Sequence, residues 1–378
     1  MRYGKERLCS HFSVFNRKGI SSKLVFSLTM EITIDFLEEN YSQIKEESLF
    51  GRWITIQDIL PIIKKLTNQF KVEEIGRSEE DRPIYKISIG SGEKRILTWS
   101  QMHGNESTGT KALFDFLNCI IIFKNSEFVK TILANCTLEF IPMLNPDGAE
   151  AYTRVNANTI DLNRDAVALK AKESKVLRNV LNKFNPHFCF NLHDQRTIFG
   201  VEGTKNPASI SFLAPSEEET RKITDGRIAT MNIIVAMNNL LQQVIPNHIG
   251  RYTDEFYPTA TGDNFQKLGH NTILIEAGHF PEDYDREEVR KFNFYALLKG
   301  ILHISEEKSF KEYQEYFAIP NNIKNFYDVI HRSENNQKDI AFQYEEKVES
   351  GKFALFLKKE NEGNLSEYLA HKEFNKRE

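Results

Sequence analysis

Residues 99–109 read WSQMHGNESTG. They follow a short apolar run, residues 95–98, that reads as a strand, and lead into an apolar-periodic run, residues 111–123, that reads as a helix. His103 and Glu106 sit three positions apart at that junction, where a strand end becomes the first helical turn, so both side chains can point at one spot. Imidazole and carboxylate are both zinc ligands, and a catalytic zinc site uses three protein groups while leaving a further position open. Such a site needs a third ligand, a general base and a substrate anchor from elsewhere in the chain.

Around this junction strands and helices alternate. Strands are expected at residues 95–102, 137–143, 188–193, 210–213 and 272–277, and helices at 111–123, 168–184, 217–244 and 286–306. That order predicts an α/β fold with a mostly parallel sheet covered by helices on both faces, in which ligands gather at the carboxyl ends of strands. Upstream, residues 32–70 read as two helical pieces broken near Gly51, the second carrying the stripe Ile56, Ile59, Leu60, Ile63 and Leu66. Residues 72–75 and 84–89, joined by the polar stretch 76–83, predict a β-hairpin.

The texture changes near residue 307. Alternating runs at residues 325–330, 339–344 and 352–357 predict a small β-rich extension over 307–378, ending in a charged, frayed tail from 358. Residues 30–306 are then expected to form one domain around the junction at 99–109. Residues 1–29 are basic and serine-containing, and are expected to be a disordered tail or the upstream part of a reading frame that starts at Met30. No apolar segment of signal-peptide length interrupts them, and no stretch approaches the ~20 apolar residues of a membrane span, which points to the cytoplasm.

The 378 residues are 40% hydrophobic and 27% charged, as in ordinary soluble globular proteins. A net charge of -4 gives no global attraction to nucleic acid or to anionic membrane, and neither is an expected partner. The four cysteines, Cys9, Cys119, Cys136 and Cys189, form no CxxC pair. The last three lie in apolar runs and read as buried, reduced thiols.

Three further stretches carry chemistry. Residues 141–165, IPMLNPDGAEAYTRVNANTIDLNRD, contain only two cations, Arg154 and Arg164. A guanidinium at a strand mouth suits a carboxylate or a developing oxyanion, although either arginine alone also reads as a surface ion-pair residue. Residues 188–194, FCFNLHD, form an apolar strand ending in His193, a structural histidine in isolation and a third ligand beside His103 and Glu106. Residues 271–280, NTILIEAGHF, place Glu276 directly after an apolar run, where a carboxylate is costly unless it has a partner or a task. Near a metal it could move a proton from water to a leaving amine. The bland reading is a salt-bridged carboxylate.

The combination of HGNE at residues 103–106, LNPDG at 144–148, DLNRD at 161–165, His193 and Glu276 resembles the carboxypeptidase A-type zinc metallopeptidase family, and DRPIYKISIG at 81–90 is similar to the family's leading hairpin. The resemblance spans about residues 72–304 and implies the family's α/β/α fold with a mixed, mostly parallel sheet. It implies one zinc ion per chain held by His103, Glu106 and His193, with Glu276 as general base and acid and Arg154 stabilising the oxyanion. Asn163 and Arg164 would grip the free carboxylate of a peptide substrate. Within YPTATGD, residues 257–263, Tyr257 would cap the substrate, with Tyr252 as its competitor. Asp263 and Asn264 approach the family's specificity pocket, where a carboxylate would favour a basic substrate residue.

HGNE and DLNR also occur in the related aspartoacylase and succinylglutamate desuccinylase branch, which cleaves small N-acyl amino acids and has a β-rich C-terminal domain. LNPDG and the Arg154 segment resemble the peptidase branch more closely. The implied function is hydrolysis of the C-terminal peptide bond, with the small-molecule deacylase as the alternative. A non-catalytic zinc-binding protein on the same fold is a third reading, opposed by the retention of all three ligands, Glu276 and both arginines.

Overall fold

The computed structural model describes residues 32–333 and 338–375; the expected N-terminal tail, Met30 and Cys9 lie outside the described residues. In chain order the elements are α1 (Ile34–Ile44), α2 (Ile56–Leu66), β1 (Lys71–Arg77), β2 (Pro83–Gly90), β3 (Lys94–Trp99), α3 (Thr108–Ile122), α4 (Glu127–Asn135), β4 (Cys136–Ile141), α5 (Pro146–Ala151), α6 (Lys172–Phe184), β5 (Phe188–Asp194), β6 (Gly200–Val201) and β7 (Ile210–Leu213). They continue as α7 (Asp225–Leu241), β8 (Ile249–Arg251), α8 (Thr261–Lys267), β9 (Asn271–Ala277), α9 (Glu287–Glu306), β10 (Asn322–Ile323), β11 (Phe326–Arg332), β12 (Asp339–Glu349), β13 (Lys352–Gly363) and β14 (Leu369–Asn375).

The main sheet runs β1-β2-β4-β3-β5-β9-β7-β8. Its centre, β4-β3-β5-β9, is parallel throughout, while the leading hairpin and β7 enter antiparallel. The fold is therefore the mixed α/β/α class implied by the sequence. Alternation along the strands divides the core in two, since successive side chains point to opposite faces. Ile96, Phe190, Ile273 and Ile275 pack with α3, α4, α7 and α9 on one face. Leu97, Trp99 and Cys189 pack with Leu177 and Leu181 of α6 and Phe265 of α8 on the other. His193 and Glu276 fall on this second face, at the carboxyl rim.

Helix starts follow local chemistry. Thr55 and Asp58 form a reciprocal capping box that opens α2, whose buried stripe is Ile56, Ile59, Ile62, Ile63 and Leu66. Ile62 thus takes the inward place expected for Leu60, which is half-buried. Cys119, Cys136 and Cys189 are buried free thiols, as their apolar surroundings predict.

The C-terminal part differs from expectation in one respect. The charged end does not fray at residue 358: β13 continues to Gly363, and β14 returns to lie parallel to β11 in a sheet ordered β13-β12-β11-β14. Charged residues alternate there on an exposed edge, which sequence polarity alone does not distinguish from a tail. The sheet's own core is small, with Ile330, Ala341 and Leu365 fully buried. It leans on the body through Tyr284, which meets Tyr344 at 5.2 Å and His371 at 6.2 Å. Among the described residues, no helix is long and apolar enough to cross a membrane.

Candidate active site

The loop between β3 and α3 is shaped by its neighbours. A Cβ on Gly104 would lie 1.8 Å from the Gly148 carbonyl carbon, so glycine is required where HGNE crosses α5. Asn145 caps α5 by accepting from Gly148 N at 2.9 Å and donates to Met102 O at 3.2 Å. Asp147 accepts from Ser78 Oγ at 2.6 Å and pairs with Arg82 at 2.7 Å. The LNPDG and DRP motifs thus hold the ligand loop from beneath and stand away from the chemistry.

His103, Glu106 and His193 are buried and converge, with their donor atoms within 4.8 Å of one another. Nδ1 of His103 lies 2.9 Å from Oε1 of Glu106, and Nδ1 of His193 lies 2.9 Å from Oε2. The two Nδ1 atoms are 3.2 Å apart. Two Zn–N bonds of about 2.05 Å at a tetrahedral angle place their nitrogens roughly 3.3 Å apart, so this pair fits a shared zinc ion, and a His₂Glu donor set is a catalytic one. Nε2 of His103 donates to Asp161 Oδ1 at 3.0 Å, which leaves Nδ1 as the lone-pair nitrogen.

The electrostatics match a site made for a cation. Burial pushes the Glu106 carboxyl up, but the two imidazoles outweigh it and hold it well below the usual range. Burial likewise raises Asp161, and His103 and Arg154 overcome it to hold the carboxylate charged. Glu276 goes the other way: burial, then the negative charges of Glu106 and Asp194, push its carboxyl well above the usual value. In register, Glu276 pairs with His193 across β5 and β9, so both project to one face beside the metal ligands.

Arg154 reaches the cluster directly. Its Nη1 lies 3.3 Å from Glu106 Oε1, and its Nε donates to Asp161 at 3.0 Å. Asn163 and Arg164 form a short 3-10 turn with Leu162. Asn163 Oδ1 accepts from Thr261 N at 3.0 Å, tying this turn to α8. The exposed Arg164 guanidinium sits 5.9 Å from the Tyr257 ring. Tyr257 is 49% exposed, with its hydroxyl donating to Glu255 at 2.9 Å. Tyr252 is half-buried against Phe199, and burial, then the charges of Glu276 and Glu106, raise its phenol.

Asp263 and Asn264 are taken up by the protein. Asp263 accepts from Tyr257 N at 3.1 Å, and Asn264 Oδ1 accepts from Arg178 at 2.5 Å. Both are structural holds on α8. His279 Nε2 accepts from the Arg286 guanidinium at 3.1 Å, a structural contact.

Sequence reading assigned no role to several groups that organise the site. Asp161 stood inside DLNRD, and its place beside an arginine motif was the available signal. Asp194 caps α3 by accepting from Thr108 N at 3.2 Å and Oγ1 at 2.7 Å. Glu346, from β12, pairs with Arg52 at 2.5 Å and Arg196 at 2.7 Å. Arg196 in turn donates to Asn105 O at 3.3 Å, and Arg52 O accepts from Ser107 Oγ at 2.7 Å, so the C-terminal sheet grips the ligand loop at two points. No local pattern announces that contact.

Comparison with known proteins agrees with this geometry. The zinc carboxypeptidase family model matches residues 60–271, a segment that contains His103, Glu106 and His193 and stops just short of Glu276. Carboxypeptidase SOL1 of Arabidopsis thaliana is 26% identical over 192 residues, 45% of this chain and 39% of that protein. Carboxypeptidase 2 of Trichophyton rubrum is 27% identical over 128 residues, 31% of this chain and 23% of that protein. The chain thus spans well under half the length of these relatives. A crystal structure of a metallo-carboxypeptidase from Burkholderia cenocepacia shares the fold at a TM-score of 0.50 and 19% identity, covering 65% of this chain and 67% of that one.

Proposed function

Because the chain belongs to the zinc carboxypeptidase family, we propose that it is a metallocarboxypeptidase that removes the C-terminal residue of peptides, with one zinc ion held by His103, Glu106 and His193. The observation that carries this reading is the convergence of that His₂Glu set with Glu276 on the adjacent strand and Arg154 on the same cluster. Zinc bound there supplies Lewis acidity, which polarises the scissile carbonyl and acidifies water.

Each remaining role falls to this chain's own residues. Glu276, acting as the ionised carboxylate, takes a proton from the attacking water and delivers it to the leaving nitrogen. Arg154 donates to the carbonyl oxygen as negative charge develops on it. Asn163 and Arg164 hold the terminal carboxylate, Arg164 through paired guanidinium donors. Tyr257 closes over the bound residue, with Tyr252 behind it.

The grip of the C-terminal sheet on the ligand loop supports a second reading, hydrolysis of small N-acyl amino acids at a site walled by that sheet. Assays of the zinc-loaded chain on unblocked peptides, C-terminally amidated peptides, N-acetylaspartate and N-succinylglutamate separate the two. The carboxypeptidase reading expects turnover of unblocked peptides alone. Turnover of only the acyl amino acids would replace it with the deacylase, and zinc binding without turnover would leave a binding protein.

A further inference from the structure

A cavity of about 850 Å³ opens beside the proposed carboxylate clamp, lined by Arg164, Arg221, Arg251 and Lys324 against a single acid, Asp254, with Tyr252 and Tyr257 at its side. Asp254 is already neutralised. It pairs with the buried Arg227 at 2.6 Å and with Arg221 at 3.3 Å. Among the described residues, Arg164, Arg251 and Lys324 have no carboxylate within ion-pair distance. The lining therefore carries more positive than negative charge next to the place where a substrate's terminal residue would sit.

Arg251 is the built element of this pocket. Its guanidinium stacks over Tyr316 at 5.2 Å and Phe317 at 5.6 Å, and Asn321 Oδ1 accepts from Nη2 at 3.1 Å. Its Nε is buried and lacks a hydrogen-bond partner. A guanidinium held flat by aromatic packing loses little freedom on pairing and matches a carboxylate's geometry. Two acids touch lining residues without lining the cavity themselves: Glu202 hydrogen-bonds Asn321, and Glu255 accepts from the Tyr257 hydroxyl at 2.9 Å.

Resting on the carboxypeptidase reading, we propose that this pocket binds an acidic side chain, so that the preferred substrates end in glutamate or aspartate. The terminal carboxylate goes to Asn163 and Arg164 and the side-chain carboxylate to Arg251, with Lys324 adding field at the rim. A basic side chain would meet like charge, and a neutral one would desolvate Arg251 without replacing its lost water.

The test uses the zinc-loaded full chain and peptides that differ only in the last residue: Glu, Gln, Leu or Lys. The expected kcat/KM for Glu exceeds that for Gln by about tenfold or more, the discrimination that one charge-assisted pair gives, and Lys is poorest. Arg251→Gln is expected to collapse the Glu/Gln ratio toward one. Lys324→Gln, an exposed change that does not threaten folding, lowers the ratio by a smaller factor. Equal turnover of Glu and Gln by the parent chain, or an unchanged ratio in Arg251→Gln, overturns the proposal. Calorimetric binding of free glutamate against glutamine separates this failure from failure of the peptidase reading. Tighter glutamate binding that needs Arg251, without cleavage of any peptide, keeps the pocket and removes the peptidase; equal binding removes the pocket.

Discussion

At the scale of single residues, burial and hydrogen-bond direction divide the labour. Asp161 has no place on the metal, yet it fixes His103 by accepting from Nε2 and orients Arg154 through the other oxygen. Such partners of a metal-bound imidazole set its tautomer and basicity, and their loss costs about 10- to 100-fold in metal affinity. Asp161→Ala is therefore expected to weaken zinc binding by that factor in a competition titration with a chelator. Affinity equal to the parent's would show that the Asp161 contact is incidental. On the proposed role of Arg154 in meeting charge on the substrate, Arg154→Ala is expected to lower kcat by about 10²- to 10³-fold while zinc content holds. The convergence of His103, Glu106, His193 and Glu276 was legible in the sequence because each stands at, or a few residues beyond, the carboxyl end of an apolar strand. Asp161's task was hidden, since it depends on which of two oxygens faces which neighbour.

At the scale of elements, the motifs divide into those that react and those that support. LNPDG is quoted for its family likeness, but its Asn and Asp are spent on capping and on Ser78 and Arg82, and its Gly on the close approach of Gly104. A methyl group on Gly104 would overlap Gly148 backbone, which cannot rotate away as a side chain could. Gly104→Ala is thus expected to lower the melting temperature and release zinc, a backbone clash falling among the few large causes of destabilisation. Unchanged melting and metal content would refute the packing argument. Most strands and the long helices follow the expected periodicity, because their burial patterns repeat, but α7 starts at Asp225 instead of residue 217, and β8 and β14 were not anticipated. The short helices α4, α5 and α8 are too brief to show a period and were not anticipated.

At the scale of the whole molecule, the C-terminal sheet and the body are joined by buried polar contacts. Glu346 is fully enclosed with Arg52, both side chains being 5% exposed or less. Removing one partner of a buried pair leaves an uncompensated charge and costs about 3–5 kcal/mol. Glu346→Gln is expected to destabilise by that order in thermal unfolding and to speed amide exchange in β11 to β14. Protection equal to the parent's would show that the sheet docks by other means. Burial also holds the His371 imidazole down to about 4, where an exposed one titrates near 6.5. Between those values the folded state binds fewer protons than the unfolded one. The stability is present above about pH 6.5 and is lost as pH falls toward 4, and His371→Phe is expected to flatten that slope in melts. Neither contact was legible in sequence, because Glu346 and Arg52 lie at opposite ends of the chain and meet only through the fold.

On the proposed function, two glutamates hold different tasks, the buried Glu106 on the metal and Glu276 on the proton. The zinc content of Glu106→Ala and Glu276→Gln, measured by elemental analysis against the parent chain, tests it most directly. The expected result is about one zinc per chain in the parent and in Glu276→Gln, and close to none in Glu106→Ala. Zinc retained by Glu106→Ala, or lost from Glu276→Gln, would contradict the assignment.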